Sequence, residues 1–274
     1  MYDGVVRLLT DAGMPVSASA RGYRPALGVP GFAAKVLKPR AIIEMLDAGT
    51  RDLGFAGADW VAEAGADLVE LVDTGLDAVR LVAAAPEAVL DDAGRLPDRP
   101  IVIASEYVGL AGRWAGERGI DADVLRSYGA TEVLPPDDAD CIVDNTASGA
   151  TLAANDLRII DELMSSTTRL YASRAAMDDP ARRDAIEAFA LNITSVLEAR
   201  GRVMVEVNVG VDDLDAVIAA LPCMREPTVS RLRGEAGFAV RAAVPRRELS
   251  AVVPLVKAKG GTDIIVSRPE QIVP

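Results

Sequence analysis

The chain has 274 residues, enough for two or three small domains, and half of them are hydrophobic while only 4% are aromatic. Its net charge of −12 disfavours binding to nucleic acid or to an anionic membrane through general electrostatics. Because the chain has no histidine, histidine-based zinc sites, Ser-His-Asp triads and histidine general bases are excluded.

Buried strands alternate with helices through residues 1–200. Strands are predicted at residues 14–20, 32–37, 79–85, 101–105, 123–127 and 168–173. Helices are predicted at residues 2–12, 40–48, 107–118, 152–163 and 178–200. The segment 51–63 combines a buried strand with a glycine-rich exit into a helix. This alternation favours an α/β fold with parallel sheets covered on both faces.

Two changes in pattern divide the chain. Residues 86–100 are rich in proline, aspartate and glycine, which indicates a crossing between two lobes before the alternation restarts. The last part follows another order: strand 202–209, helix 212–221, strands 227–233 and 237–244, helix 246–258 and strand 262–267. A β-α-β-β-α-β order predicts a ferredoxin-like module over residues 201–274.

The stretch 139–157 has the pattern of a phosphate-binding turn. A short apolar run ends at Asp144, a hydroxyl-rich turn follows, and a helix is predicted to begin near Leu152. Backbone N–H groups at such a turn point at an anion, and Ser148 and Thr151 add side-chain donors. Gly149 leaves room for close approach of a ligand. The alternative is a turn that merely caps its helix.

The stretch Arg21-Gly22-Tyr23-Arg24-Pro25 places basic and aromatic side chains on a predicted loop. On residue type alone, a solvated loop without a ligand is the better explanation of this composition. The loop is therefore a candidate only in combination with other motifs.

The cysteines and the chain start bear on localisation. Cys141 and Cys223 lie far apart and lack the spacing of metal ligands or a disulfide framework, which fits a reducing cytosol. The start of the chain is typical of an amphipathic helix and not of a signal peptide, and no apolar run is long enough to span a bilayer. We expect a cytoplasmic protein.

Several motifs together resemble the ATP phosphoribosyltransferase family in its long, histidine-regulated form. The segment from Asp144 to Asn155 is similar to the family's ribose-phosphate loop, D-x-x-x-[ST]-G-x-T-L-x-x-N. Further similar segments are Arg21-Gly22-Tyr23, Asp52 to Asp59 with Glu63, Arg80-Leu81 with Ala85-Pro86, Gly129 to Val133, Leu221-Pro222, Pro227-Thr228-Val229, Lys259-Gly260-Gly261 and Ile264-Ile265-Val266. The resemblance therefore extends over nearly the whole chain.

The resemblance implies two α/β lobes of the periplasmic-binding-protein type II kind and a C-terminal ferredoxin-like, ACT-like domain. Lobe I would comprise residues 1–95 and 167–195, lobe II residues 96–166 with the phosphoribosyl pyrophosphate loop, and the regulatory domain residues 201–274.

The resemblance also implies attack of N1 of ATP on C1 of phosphoribosyl pyrophosphate, with Mg²⁺ neutralising the departing pyrophosphate. The residues implied in phosphoribosyl pyrophosphate binding are Asp144, Ser148, Gly149, Ala150, Thr151 and Leu152, with Asp144 also as metal ligand. Asp144 and Glu132 are the implied catalytic residues, and Arg21, Tyr107 and Glu132 the implied nucleotide-binding residues. For Glu132 the alternative is a helix cap or an inter-lobe salt bridge, and for Tyr107 a place in the core.

Histidine would act as an inhibitor that favours a hexamer over active dimers. The positions that match its site are Asp215, Thr228 and Gly261. Asp215 would accept from the ammonium, Thr228 and turn N–H groups would donate to the carboxylate, and Gly261 would leave space. For Asp215 the alternative is a solvated helix residue.

The departures from the family lie on the nucleotide side. The family begins with a strand and a P-K-G-R-L-type loop, whereas Met1 stands where the following helix should begin. The family's R-x-x-D-I-P segment is replaced by Lys38-Pro39-Arg40-Ala41-Ile42-Ile43, in which the family's aspartate and proline are absent. A non-catalytic or altered-acceptor paralogue that binds nucleotide, phosphoribosyl pyrophosphate or histidine is therefore the main alternative. A solute-binding protein is the second.

Overall fold

The computed structural model describes residues 1–17 and 22–273, which divide into two compact units. The first unit comprises Met1–Val6, Ser17–Leu27 and Gly31–Ala190, and the second comprises Arg7–Val16, Gly28–Pro30 and Leu191–Pro274. Both predicted lobes fall mainly within the first unit, and their boundaries stay a prediction. In the described parts of the chain, no helix is both long and apolar enough to cross a membrane.

The strands are β1 (Val16–Ser17), β2 (Ala26–Leu27), β3 (Leu53–Gly57), β4 (Leu68–Pro86), β5 (Ile101–Ser105), β6 (Ala122–Arg126), β7 (Cys141–Thr146), β8 (Leu157–Ser173), β9 (Arg202–Val209), β10 (Thr228–Arg231), β11 (Phe238–Pro245) and β12 (Thr262–Ser267). The helices are α1 (Tyr2–Asp11), α2 (Pro39–Asp47), α3 (Ala58–Ala64), α4 (Val108–Arg118), α5 (Ala150–Ala154), α6 (Arg174–Asp178), α7 (Pro180–Gly201), α8 (Leu214–Ala219) and α9 (Leu249–Ala258). The predicted α/β class is confirmed.

A six-stranded sheet in the order β3-β8-β4-β7-β5-β6 forms the first unit. The predicted parallel arrangement holds only for β5 with its neighbours β6 and β7. The other pairings are antiparallel, and the two central strands β4 and β8 are much longer than predicted. These two strands pair from Leu68 opposite Ser173 to Pro86 opposite Leu157, with several register shifts. Shifts of this kind bend a strand without ending it.

Three segments differ from their predicted type. Residues 32–37 form no strand, and the predicted strand at 14–20 is reduced to β1, with residues 18–20 outside the described part. The predicted helix at 152–163 ends at Ala154, because Asp156 takes a positive φ of 55° and reverses the chain into β8. The apolar residues that follow satisfy a strand period as well as a helix period, so periodicity alone could not separate the two.

The core of the first unit is built from small and branched aliphatic residues. The residues from Leu81 to Ala85 are fully buried in the centre of the sheet. They pack with Ile103, Val143 and Trp114, among others, in two clusters. The low aromatic content of the sequence is compatible with this core because small side chains let the helices approach the sheet closely.

The second unit contains an antiparallel sheet in the order β10-β11-β9-β12. Alternate valines of β9, from Val203 to Val209, are buried against residues of α8 and α9 such as Val217 and Val256. This is the ferredoxin-like arrangement predicted for residues 201–274, which is thereby confirmed.

A close backbone approach in the second unit gives a test of this packing. A Cβ on Gly261 would lie 2.8 Å from the carbonyl oxygen of Val256 and 2.9 Å from Cγ2 of Val207. We expect Gly261→Ala to lower the free energy of unfolding by about 1–3 kcal/mol, since overpacking a filled space forces its neighbours apart. Thermal or urea unfolding measures the change. Gly210→Ala is the matched control because a Cβ there meets no atom within 4 Å. Equal stability of the two variants would contradict the packing argument.

Candidate active site

The carboxyl ends of β5 and β7 meet at one edge of the first unit's sheet. The two strands are parallel neighbours, and the Ser105 hydroxyl donates to the carbonyl oxygen of Val143 over 2.6 Å. The same hydroxyl accepts the N–H of Tyr107 over 2.8 Å. Ligands of α/β proteins bind at such ends, where loops from adjacent strands converge.

The loop after β7 forms a tight turn that leads directly into α5. The Gly149 N–H donates to Oγ1 of Thr146 over 2.9 Å, and the Ala150 N–H lies 3.3 Å from Oγ of Ser148. Gly149 has a φ of 80°, in the left-handed region that favours glycine. The first N–H groups of a helix have no partner inside it, which leaves the N–H groups of Thr151 and Leu152 as candidate donors to a ligand.

The structure brings the predicted phosphate-binding residues into this one turn. Ser148 and Thr151 are exposed, so their hydroxyls are accessible to a ligand. The side chain of Leu152 is buried, so the residue can offer a ligand only its backbone. Their role in binding stays a prediction, since an ordinary helix cap has some of the same hydrogen bonds.

Asp144 lies just before this turn in an unfavourable electrostatic position. Burial, together with the nearby carboxylates of Glu106 and Glu132, raises the pKa of Asp144 from 3.8 to about 6. The Asn145 N–H, 2.7 Å from Oδ1, and the Thr131 hydroxyl partly oppose this rise. A half-buried carboxylate among other carboxylates destabilises the fold, and such arrangements are typical of functional sites.

Glu132 belongs to a 3₁₀ turn, Thr131–Val133, next to Asp144. The turn follows Ala130, which has a positive φ of 49°, and it is held by a 2.8 Å hydrogen bond between the hydroxyls of Ser127 and Thr131. In the described parts of the chain, no ion pair involves Glu132, so the salt-bridge alternative has no support. Glu132 therefore stays a candidate for the site.

The other two nucleotide-binding candidates have different outcomes. Tyr107 is only 1% exposed, and its ring packs on Trp60 with 4.6 Å between centroids. The structure thus favours the alternative for Tyr107, a place in the core, over contact with the nucleotide. Arg21 lies outside the described residues.

Sequence reasoning assigned no role to Glu106, Thr131 and Asn145, all of which act on Asp144. Glu106 follows β5 and Asn145 lies near the end of β7, and the carboxyl ends of these two strands meet. This position is the signal that could have identified both residues. That signal requires knowledge of which strands are neighbours. A pattern of buried runs does not supply it.

In the second unit, a groove of about 280 Å³ lies on the sheet face opposite the helices. Its lining residues are Met204, Met224, Arg225, Glu226, Thr228, Arg241, Ala242, Ala243 and Val273. Thr228 is therefore placed in a groove that carries two arginines and a glutamate.

The other two predicted histidine-site residues do not line this groove. Asp215 is exposed in the first turn of α8, the helix that covers the other face of the sheet. The space next to Gly261 is filled by Val256 and Val207, and the N–H groups of Gly260 and Gly261 donate to carbonyl oxygens at the end of α9. The structure gives no support to the prediction that Gly261 leaves space for a ligand, because this glycine serves the packing of the helix end.

A strand, a donor-rich turn and a helix at the carboxyl end of a sheet form the arrangement with which many α/β proteins bind phosphorylated ligands. A sequence profile described as "HisG: ATP phosphoribosyltransferase" matches residues 38–195, and one described as "HisG, C-terminal domain" matches residues 199–270. The chain belongs to the ATP phosphoribosyltransferase family.

Individual relatives agree with this assignment. The chain is 34% identical to the ATP phosphoribosyltransferase of Chlorobium phaeovibrioides, covering 96% of this chain and 91% of that protein. It is 32% identical to that of Pelotomaculum thermopropionicum, covering 100% and 96%. Among solved structures, the ATP phosphoribosyl transferase (HisG:HisZ) complex from Thermotoga maritima has a similar fold, with a TM-score of 0.64 at 22% identity over 72% of this chain and 93% of that chain.

The raised pKa of Asp144 predicts a pH-dependent stability. Its folded-state pKa of about 6 exceeds the unfolded value, so the ionised group destabilises the fold above pH 6, and this penalty disappears below pH 4. We expect Asp144→Asn to stabilise the protein at pH 8 by about 1–3 kcal/mol, since one pKa unit corresponds to about 1.4 kcal/mol. At pH 4 the gain should vanish.

Asp140→Asn is the matched control, because the Arg99 guanidinium holds the pKa of the Asp140 carboxyl below its usual range. This variant should lose stability at pH 8. Urea unfolding at both pH values measures the differences, and destabilisation by both variants at pH 8 would contradict the electrostatic account of Asp144.

Proposed function

We propose that this protein transfers the phosphoribosyl group of phosphoribosyl pyrophosphate to N1 of ATP, the first step of histidine biosynthesis. The observation that carries the proposal is the turn from Thr146 to Leu152 beside Asp144, in a chain that belongs to the ATP phosphoribosyltransferase family. The protein is then a pentosyltransferase whose substrates are both anionic.

The turn supplies donors for the 5-phosphate of phosphoribosyl pyrophosphate. The hydroxyls of Ser148 and Thr151 and the backbone N–H groups of Thr151 and Leu152 are the proposed contacts, and the N–H groups of Gly149 and Ala150 would exchange their hydrogen bonds to Thr146 and Ser148 for the phosphate. Local donors explain how a chain with a net charge of −12 can bind an anion. Because α5 is short, the turn binds the phosphate through its own donors and not through the dipole of a long helix.

Asp144 is the proposed ligand of the ribose hydroxyls and a proposed contributor to Mg²⁺ binding. Its carboxylate, with those of Glu106 and Glu132 nearby, offers the hard oxygen donors that Mg²⁺ prefers. Among the described residues, no three acidic or cysteine side chains form a ready cage for a metal. This suits Mg²⁺, which usually keeps water and substrate phosphates as ligands and supplies neutralising charge to a leaving pyrophosphate.

The reaction needs positioning and charge stabilisation more than a protein nucleophile. Adenine N1 attacks C1 of the ribose as the bond to pyrophosphate breaks, and positive charge develops on the sugar. Carboxylates such as Asp144 and Glu132 at this place favour that charge, while the turn holds the 5-phosphate still. A chain without histidine can perform this chemistry.

A catalytically inactive paralogue is the second candidate, because Ala41 and Ile43 stand where the family has aspartate and proline. An assay of product formation from ATP and phosphoribosyl pyrophosphate separates the two. Turnover establishes the enzyme. Binding of phosphoribosyl pyrophosphate without turnover would favour the paralogue, and the absence of both would overturn the proposal.

The phosphate-binding role of the turn predicts the effect of Thr151→Val. Removal of a hydrogen bond to a charged group weakens binding by about 1.5–3 kcal/mol, so we expect a roughly 10- to 150-fold loss of affinity for phosphoribosyl pyrophosphate. Isothermal titration calorimetry measures the affinity. Thr262→Val removes the hydroxyl of another exposed threonine, in the second unit, and should bind as the wild type does. Unchanged binding by Thr151→Val would leave the turn as a helix cap.

The ferredoxin-like module is the proposed site of regulation by histidine. Its groove offers Arg225 and Arg241 to a carboxylate and Glu226 to an ammonium, with Thr228 as a further polar contact. Asp215 lies on the other side of the same module, so a ligand that contacts Asp215 and Thr228 together must lie between two copies. Histidine would thus bind best to an assembly, a hexamer in place of dimers.

This proposal predicts a histidine-dependent assembly. Millimolar histidine should raise the hexamer fraction of the wild type in sedimentation velocity, and Asp215→Ala should abolish this response without affecting phosphoribosyl pyrophosphate binding. Asp212→Ala is the control, because Asp212 is an exposed acidic residue on the turn that precedes α8. An unchanged wild-type distribution would show that the module has no histidine sensor.

A further inference from the structure

One charged side chain of the first unit is almost completely buried and has no place in the reaction described above. Asp59, the second residue of α3, is 4% exposed. Both of its carboxylate oxygens accept hydrogen bonds from hydroxyl groups, from Ser166 over 2.7 Å and from Tyr107 over 2.6 Å. Burial of a carboxylate is unfavourable unless it is fully hydrogen-bonded, so this arrangement requires a reason.

The local backbone is adapted to this carboxylate. A Cβ on Gly57 would collide with Oδ1 of Asp59, and it would lie 3.4 Å from the hydroxyl of Ser166. Ser166 also accepts the N–H of Asp59 over 3.1 Å. The end of β3, the start of α3 and the middle of β8 are therefore built around one buried charge.

From Asp59, a continuous series of hydrogen bonds leads to the candidate active site. The Tyr107 hydroxyl donates to Asp59 and accepts from Nδ2 of Asn145 over 2.8 Å. Asn145 in turn donates its backbone N–H to Oδ1 of Asp144 over 2.7 Å. The series thus runs from Asp59 in α3 through Tyr107, just before α4, to Asn145 and Asp144 in β7, and it ends at the carboxylate proposed to bind the ribose.

We propose that Asp59 and Tyr107 are positioning residues, which act through Asn145 to hold the Asp144 carboxylate in the orientation that binds phosphoribosyl pyrophosphate. The inference rests on the proposed function. It assigns Tyr107 an effect on the sugar phosphate that passes through Asp144, although the side chain itself touches no substrate.

Three physical features suit Tyr107 to this task. Burial and the adjacent Asp59 carboxylate raise the pKa of Tyr107 well above its usual value, so the hydroxyl keeps its proton and donates in one direction only. The ring is fixed by its contact with Trp60. Finally, its N–H is bound to Ser105 at the end of β5, which in turn is bound to β7. The Asn145 amide therefore meets a rigid acceptor.

The test uses Tyr107→Phe, which removes the hydroxyl and keeps the ring. We expect a roughly tenfold weaker binding of phosphoribosyl pyrophosphate, in the range found when residues that orient a ligand-binding group are changed. The KM for ATP should change less than twofold. Tyr171→Phe is the matched control, because it removes the hydroxyl of another buried tyrosine, at the far end of β8, and should not alter binding.

A double-mutant cycle separates positioning from a general structural role. If Tyr107 acts through Asp144, Tyr107→Phe should cause no further loss of affinity in an Asp144→Asn background. Additive losses, or equal losses for ATP and phosphoribosyl pyrophosphate, would overturn the inference. So would wild-type affinity in Tyr107→Phe.

A second variant covers the case in which Tyr107→Phe does not fold. Asn145 is exposed at the end of β7, so Asn145→Ala removes the link from Tyr107 while its backbone N–H stays in place. It should weaken phosphoribosyl pyrophosphate binding to the same degree, and unchanged binding would contradict the inference. If the wild type itself does not bind phosphoribosyl pyrophosphate, the proposed function fails and not this arrangement alone.

Discussion

The antiparallel pairing of β4 with β8 is the constraint on which the first unit depends. These two strands run side by side over their whole lengths, and they carry β3 on one side and β7 on the other. Because β7 pairs with β4, its carboxyl end reaches the edge where β5 also ends. The turn after β7 and the residues after β5 then meet at that edge.

The electrostatic interactions between carboxylates at this edge destabilise the fold. The chain is strongly acidic, and yet it places Glu106, Glu132 and Asp144 close enough to raise the pKa of Asp144 to about 6. A few residues away, Asp140 is paired with Arg99 and its pKa is lowered. The same residue type is thus stabilising at the start of β7 and destabilising at its end. A site for a cationic transition state on a phosphorylated sugar requires negative charge near the sugar and hydrogen-bond donors near the phosphate. The carboxylates and the turn provide these groups, although the carboxylates oppose folding.

Glycines at two close approaches show how differently the same residue serves the two units. Gly57 leaves room for the Asp59 carboxylate and so permits a buried charge that leads to the candidate active site. Gly261 lies against Val256 and Val207 and permits only tight packing after α9. Both stand in motifs that resemble the family. A motif alone could not tell which glycine opens space for a ligand and which closes it, because that depends on atoms distant in sequence.

The sequence by itself determined the parts of this protein whose signals are local. The strand, turn and helix start around Asp144 and Gly149 and the order of elements in residues 201–274 depend on short-range periodicity and turn chemistry, and both were predicted. Only the tertiary structure decided the lengths of β4 and β8. The polar residues in these strands are also typical of loops, and they belong to a strand only because a partner strand pairs with them, with register shifts. It also decided that Tyr107 is buried and that Asn145 reaches it. Those contacts join residues 38 to 107 positions apart, and no local pattern records hydrogen bonds between them.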